Sequence, residues 1–166
     1  MKRYVLSVLV ENHSGVLSRV SGLFSRRGYN IDSLTVGVTE DPNTSRMTIV
    51  VKGDKYIVEQ IKKQLNKLID VIKVIELKPE SSVYRELILI KVSATTKQRA
   101  EIIEIVNVFR GRIVDVVNDS LIIELTGDES KIEALINMLE PYGIKEIIRT
   151  GLTALERGNK VIKEHN

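Results

Sequence analysis

The sequence predicts an α+β protein built from two ferredoxin-like βαββαβ domains in tandem. Three observations predict it. Short apolar runs with period-2 alternation are interleaved with segments of helical period. The order strand, helix, strand, strand, helix, strand occurs twice along the chain. Between the two occurrences lies Lys78-Pro79-Glu80-Ser81-Ser82, polar and without periodicity, which reads as a linker. With 166 residues, each half has about 75 to 80, the size of a small domain. The expected domains are therefore 1–78, a linker at 79–82, and 83–166 with a C-terminal tail.

In the first half, Tyr4, Leu6, Val8 and Val10 alternate with Val5, Ser7 and Leu9, a strand apolar enough to be covered on both faces. The chain turns polar at Glu11-Asn12-His13-Ser14-Gly15, and Val16, Leu17, Val20, Leu23 and Phe24 then recur at helical spacing. Arg26 and Arg27 suit the end of that helix, and Gly28 suits a left-handed cap. Strands at 30–39 and 45–52 flank the turn cluster Glu40-Asp41-Pro42-Asn43-Thr44. Asp54 caps a second helix with Ile57, Ile61, Leu65 and Leu68 on one stripe, and 71–77 is a fourth strand.

The second half repeats this order, with strands at 86–93, 112–117, 121–126 and 144–149 and helices at 96–110 and 128–139. Two anchors tie the halves together: Arg27-Gly28 with Arg110-Gly111, a shift of 83, and Gly53-Asp54 with Gly127-Asp128, a shift of 74. The second half is thus nine residues shorter in its middle hairpin, where loops tolerate change. Caps of this kind also recur by chance, but order and periodicity agree with both anchors. The halves differ where the first strand exits. The second has Ser93-Ala94-Thr95-Thr96, with Thr95 and Gln98 spaced as a capping box, so its helix caps itself. Only the first half presents an open small-molecule site.

Composition narrows the function. Lys plus Arg exceed Asp plus Glu by only 3, which demands no nucleic-acid partner. There is no cysteine, so disulfides, thiolate chemistry and Cys-based zinc sites are excluded. MKRYVLSVLVE resembles the start of a signal peptide, but its apolar stretch stops at Glu11 and no small-residue cleavage site follows; nor does any run reach a membrane span. A cytoplasmic location is expected. The histidines are His13, in the loop, and His165, in a tail expected to fray, and neither belongs to an HxxxH, GxSxG or P-loop motif. RNA-recognition domains share the βαββαβ order but stack bases on sheet aromatics, which the third strand, SRMTIVVK, lacks.

The stretch LVENHSGVLSRVSGLFSRRGYNIDSLTV, with Asp41-Pro42 and Ser45-Arg46-Met47-Thr48, resembles the small regulatory subunit of acetolactate synthase (acetohydroxyacid synthase), whose N-terminal half is an ACT domain. VYRELILIKV, FRGRIVDV and the ending from Thr150 to Gly158 resemble that family's second domain. The resemblance implies a chain without catalysis of its own. It would activate a large catalytic subunit using thiamine diphosphate, magnesium and FAD, and make that subunit sensitive to branched-chain amino acids, chiefly valine. It also implies a homodimer with the ligand between two ACT domains, no metal, and no cofactor in this chain. The alternatives are an amino-acid-sensing ACT scaffold acting on a different partner, or an assembly scaffold that binds nothing.

Carried over by residue, the resemblance places ligand contacts at Asn12, Gly15, Asn30 and Ile31. His13, Val16, Leu17 and Ser18 complete the loop and first helical turn. Their chemistry fits an amino acid. A helix N-terminus at Gly15, Val16 and Leu17 offers donors to a carboxylate; Asn12 and Asn30 offer amide oxygens to an ammonium; Val16, Leu17 and Ile31 could line an apolar recess. A Cβ at Gly15 would crowd such a ligand. By residue type alone Asn12 also suits a helix cap or turn, and Asn30 a strand entry. Apolar residues on both parities of the first strand imply a second covered face, expected to be a dimer contact.

Overall fold

The computed structural model describes every residue from Met1 to Asn166. The chain forms β1 (Lys2–Glu11), α1 (Val16–Arg26), β2 (Ile31–Val38), β3 (Thr44–Gly53), α2 (Lys55–Asn66) and β4 (Val71–Leu77), then β5 (Ser82–Ser93), α3 (Arg99–Val108), β6 (Arg112–Val117), β7 (Ser120–Gly127), α4 (Glu129–Leu139) and β8 (Ile144–Arg149). A short β9 (Thr153–Glu156) follows. The first sheet has the order β2-β3-β1-β4 and the second β6-β7-β5-β8, and every pairing along both orders is antiparallel. Two βαββαβ units of the ferredoxin-like kind are therefore present, as the periodicity predicts. No helix is long and apolar enough to cross a membrane.

In the first unit, α1 and α2 cover one face of the sheet. Their buried residues, Val20, Leu23 and Phe24 from α1 and Val58, Ile61 and Leu65 from α2, meet Leu6, Val8 and Val10 of β1 and Met47, Ile49 and Val51 of β3. Each such side chain contributes about 1.5–3 kcal/mol by leaving water. Phe24 also meets Tyr29 edge to face at 6.2 Å. The stripe of α2 is rotated from the expected one: Val58 is buried, and Ile57 and Leu68 are half-buried packing partners.

The compact units are Met1–Val83 with Leu152–Asn166, and Tyr84–Gly151. The tail expected with the second domain thus belongs to the first unit. It does not fray there. Leu152 donates its N–H to Ser33 Oγ (2.9 Å) and accepts from Thr35 Oγ (2.8 Å), and the Arg157 N–H reaches the Ser81 carbonyl at 2.8 Å. Leu152, Ala154 and Ile162 are buried, His165 Nε2 meets Glu156 at 2.6 Å, and Lys73 Nζ donates to the His165 carbonyl. Thr35 lies beside Thr48 and Ser7 in the register, so the tail packs on the face that Val5, Ser7, Leu9 and Val50 present, all buried. The second apolar parity of β1 is covered within the protomer, and it carries no argument for a dimer.

The two sequence anchors fare differently. Asp54 and Asp128 cap their helices identically, accepting from Ile57 N–H at 2.9 Å and Lys131 N–H at 3.0 Å. The Arg-Gly pairs are out of step by one residue. Gly28 has φ +69°, with Gly28 N–H on the Ser25 carbonyl and Tyr29 N–H on the Phe24 carbonyl. In the second unit the same two bonds are made by Arg110 and Gly111, and the left-handed residue is Arg110, φ +59°. Gly111 serves packing instead, because a Cβ there would lie 3.0 Å from Val106 Cγ1 and 3.1 Å from the Glu124 carbonyl.

Candidate functional site

The loop between β1 and α1 is clamped from below. Glu11 N–H donates to the Asp70 carbonyl (2.9 Å) and Asn12 N–H to the Asn43 carbonyl (2.8 Å). The Asn12 side chain donates to the Pro42 carbonyl at 2.8 Å and accepts from Ser45 Oγ at 3.1 Å. Asn12 therefore fastens the loop to the β2–β3 turn, the role its residue type suggested as the ordinary one. Gly15, at φ +88°, turns the chain into α1 and brings no side-chain cap. The first helical bond is Arg19 N–H to the Gly15 carbonyl, 3.0 Å. The N–H groups of Val16, Leu17 and Ser18 precede it, face out of the helix end and carry its partial positive charge.

A cluster not expected from sequence lies beside them. Asp70, buried at the turn before β4, accepts from Arg19 Nε at 2.5 Å and faces His13 Nε2 at 3.0 Å. The Arg19 hydrogen bond, foremost, holds the Asp70 carboxyl below its usual range. Fixed by Asp70, the Arg19 guanidinium lies over Gly15: a Cβ there would stand 2.9 Å from Nη1. Helix donors and guanidinium together form a positive corner suited to a carboxylate. The sequence signal for it was weak, because Arg19 and Asp70 are 51 residues apart and an arginine on a helix is ordinary.

The other expected contacts are distributed unevenly. Val16 is buried in the core, Leu17 and Ser18 are exposed, and Ile31 packs against the core from the start of β2. Asn30 is exposed. Ile31 pairs with Val51, which pairs with Tyr4, whereas Val38 pairs with Ser45, which pairs with Val10. Asn30 and Ile31 thus sit level with Tyr4 near the start of β1, and the Asn12–Gly15 loop begins eight residues further on, about 26 Å along the strand. One chain does not bring these residues together. Asp32, nearby, pairs with Arg3 at 3.1 Å and Lys52 at 3.4 Å.

The matching crossover of the second unit is closed. Thr95 N–H donates to Gln98 Oε1 (3.2 Å) and Gln98 N–H to Thr95 Oγ1 (3.3 Å), the reciprocal capping box. The regular helix begins at Arg99, three residues later than predicted, because that turn intervenes.

Comparison with known proteins agrees with the two-unit architecture. Residues 6–73 match the model of the AHAS small subunit-like ACT domain, and residues 85–158 that of the small subunit of acetolactate synthase. The chain is 61% identical over 158 residues to a probable acetolactate synthase small subunit of Archaeoglobus fulgidus, covering 95% of this chain and 99% of that protein. It is 55% identical over 161 residues to the acetolactate synthase small subunit of Mycobacterium bovis, covering 97% and 96%. The crystal structure of the small subunit from Thermotoga maritima superposes with a TM-score of 0.88 at 46% identity, covering 96% of this chain and 100% of that one. With both halves matched in order and over nearly their full length, this chain belongs to the acetolactate synthase small-subunit family, and its first unit is an ACT domain.

Proposed function

We propose that the chain is the regulatory subunit of an acetolactate synthase, non-catalytic itself. It raises the activity of a large catalytic subunit that carries thiamine diphosphate, magnesium and FAD, and it transmits feedback inhibition by a branched-chain amino acid, chiefly valine, in the cytoplasm. The observation that carries the reading is the separation of the two halves of the candidate site. The uncapped helix start with Arg19 lies at one end of the ACT sheet and Asn30 at the other. Strand β2 is an edge strand with Val36 and Val38 exposed, a template for pairing. Two copies joined antiparallel through β2 bring Asn30 and Ile31 of one copy to the sheet end that bears the Asn12–Gly15 loop of the other, with His13, Val16, Leu17 and Ser18 around it. A site shared across a two-fold axis then reports on the arrangement of two chains.

Regulation follows as a coupling free energy. Valine at the seam favours one relative arrangement of the paired ACT domains and the catalytic subunit favours another, so inhibition needs no contact with the active site. The test is reconstitution. Mixed with its cognate catalytic subunit, the chain should increase condensation of pyruvate to acetolactate, and valine should reverse part of that gain. Light scattering of the chain alone should report twice 18.7 kDa or a multiple. A chain that binds valine yet leaves the catalytic subunit untouched would point to an ACT scaffold for a different partner; one that binds nothing would leave only an assembly role.

A further inference from the structure

The tail does more than cover the second face of the ACT sheet. Between that face and the returning segment lies a cavity of about 150 Å³, the volume of a cavity that holds a molecule of about six non-hydrogen atoms. Its floor is Ile75 and Leu77 of β4, and its roof is the turn from Leu155 to Ile162, bent at Gly158 with φ +85°. Into it from β3 comes Arg46, half-buried beside Leu9 in the register. Its guanidinium makes no hydrogen bond or ion pair, and Lys160, on the opposite wall, makes none either. The acidic lining residue, Glu156, is held by His165 at 2.6 Å. Two cations thus line a recess with an apolar floor, and neither makes an ion pair. A half-buried, unpaired arginine costs desolvation that an anion would offset.

From this we infer a second ligand site in the ACT unit, separate from the Gly15 loop, that takes a small monocarboxylate with a compact apolar tail. The carboxylate lies between Arg46 and Lys160, with the tail against Ile75, Leu77 and Ile162. An amino acid fits less well, because it would bring an ammonium to a recess already lined by Arg46 and Lys160. The bound acid bridges sheet and tail, so it stabilises the tail's docked position by mass action. This site does not rest on the regulatory reading, since Arg46 and Lys160 lie outside the loop that reading uses.

The probe is 3-methylbutanoate, titrated into the full-length chain by calorimetry and by hydrogen exchange of residues 155–162. Saturable binding with slowed exchange in that segment is expected; 3-methylbutanamide, which loses the charge-assisted contact, and valine, which adds an ammonium beside two cations, should each bind this segment at least about tenfold more weakly. Arg46→Gln should lower affinity about tenfold or more. Leu155→Trp, at an exposed position, should fill the mouth and abolish binding even if Arg46→Gln disturbs the fold. Gly15→Asp should leave it unchanged. No binding at concentrations of about 10 mM, equal affinity for acid and amide, or full affinity in a folded Arg46→Gln or Leu155→Trp chain would overturn the assignment.

Discussion

In the first unit the central strand, β1, is buried on both faces from Val5 to Val10, and it delivers the chain to a helix with no side-chain cap. In the second unit the equivalent strand, β5, alternates buried and half-buried residues, and the chain passes to α3 through a turn that Thr95 and Gln98 close on each other. The sheets have the same order and the loops have opposite chemistry. A strand order can be duplicated cheaply, because the helices need only an apolar stripe on one side. Ligand binding needs donors that the fold has not already satisfied, and only the first crossover keeps them. The second faces diverge too. In the first unit the tail covers that face, whereas in the second Ile148 is 65% exposed beside a half-buried Leu89.

The sharpest way to break this contrast is to remove the cover. Deleting residues 152–166 exposes Val5, Leu9 and Val50 and discards the buried Leu152, Ala154 and Ile162. Several side chains at about 1.5–3 kcal/mol each are comparable with a whole domain's stability of about 5–15 kcal/mol. The ACT unit should melt well below the intact chain and bind a hydrophobic dye, while hydrogen exchange in residues 84–151 stays nearly as slow. The milder Ile162→Ala should cost about 2 kcal/mol. A truncated chain with an unchanged melting curve would mean that the tail merely rests on the sheet.

Next in size is the crossover itself. Gly15→Asp puts a side chain where φ is +88° and 2.9 Å from Arg19 Nη1. The new carboxylate can pair with that guanidinium and occupy the positive corner. Valine affinity should fall by a factor of about 100 or more, because a charge-assisted contact is lost and a like charge gained. The fold should persist with a loss of about 1–2 kcal/mol from backbone strain. Calorimetry with valine and a thermal melt separate the two effects. Removing the capping box from the second unit with Gln98→Ala should weaken α3 by about 1 kcal/mol without creating a valine site there.

Most of the fold was legible because strand alternation, helical stripes and Asp caps are local signals: Asp54 and Asp128 were read correctly from a two-residue motif. The geometry of the candidate site was half legible. Gly15 and the open helix start are local, but Arg19 over Gly15 depends on Asp70, a contact between distant segments. The tail was missed because Leu152, Ala154 and Ile162 form too short an apolar pattern to announce a covered surface. Both parities of β1 were read as calling for a partner, when the partner was the same chain.

Asp70 gives the comparison a pH axis. Its carboxyl is held low by Arg19 and, secondarily, by His13, so the folded state binds its proton less readily than the unfolded one. The stability this provides is complete above the unfolded value, near 3.8, and is lost as pH falls through the lower folded value. The gap in melting temperature between the native chain and Asp70→Asn should be constant at neutral pH and close only in strong acid. Exchange protection of the β1–α1 loop should follow the same profile, while the Thr95–Gln98 turn, which is uncharged, should show none of it. A gap that closes well above the carboxylate range would refute the assignment to Asp70.

The smallest effect concerns the helix ends. Both α1 and α3 finish with the same pair of bonds, but the left-handed residue is Gly28 in one and Arg110 in the other. A side chain in that conformation costs about 1–2 kcal/mol, which glycine avoids at an entropic cost of its own of about 0.5–1 kcal/mol. Arg110→Gly should therefore stabilise the second unit by about 0.5–1 kcal/mol, raising its midpoint by roughly 2–8 °C for a unit of this size. Gly111→Ala must do the opposite, since its Cβ would press on Val106 and the Glu124 carbonyl at 3.0 and 3.1 Å. The two adjacent substitutions thus carry opposite signs. If the sequence alignment of Arg27-Gly28 with Arg110-Gly111 described the geometry, Gly111 would be the strained position and Arg110→Gly would gain nothing. A thermal melt of these two single variants decides between the alignments, and a midpoint for Arg110→Gly at or below that of the native chain would refute the geometric one.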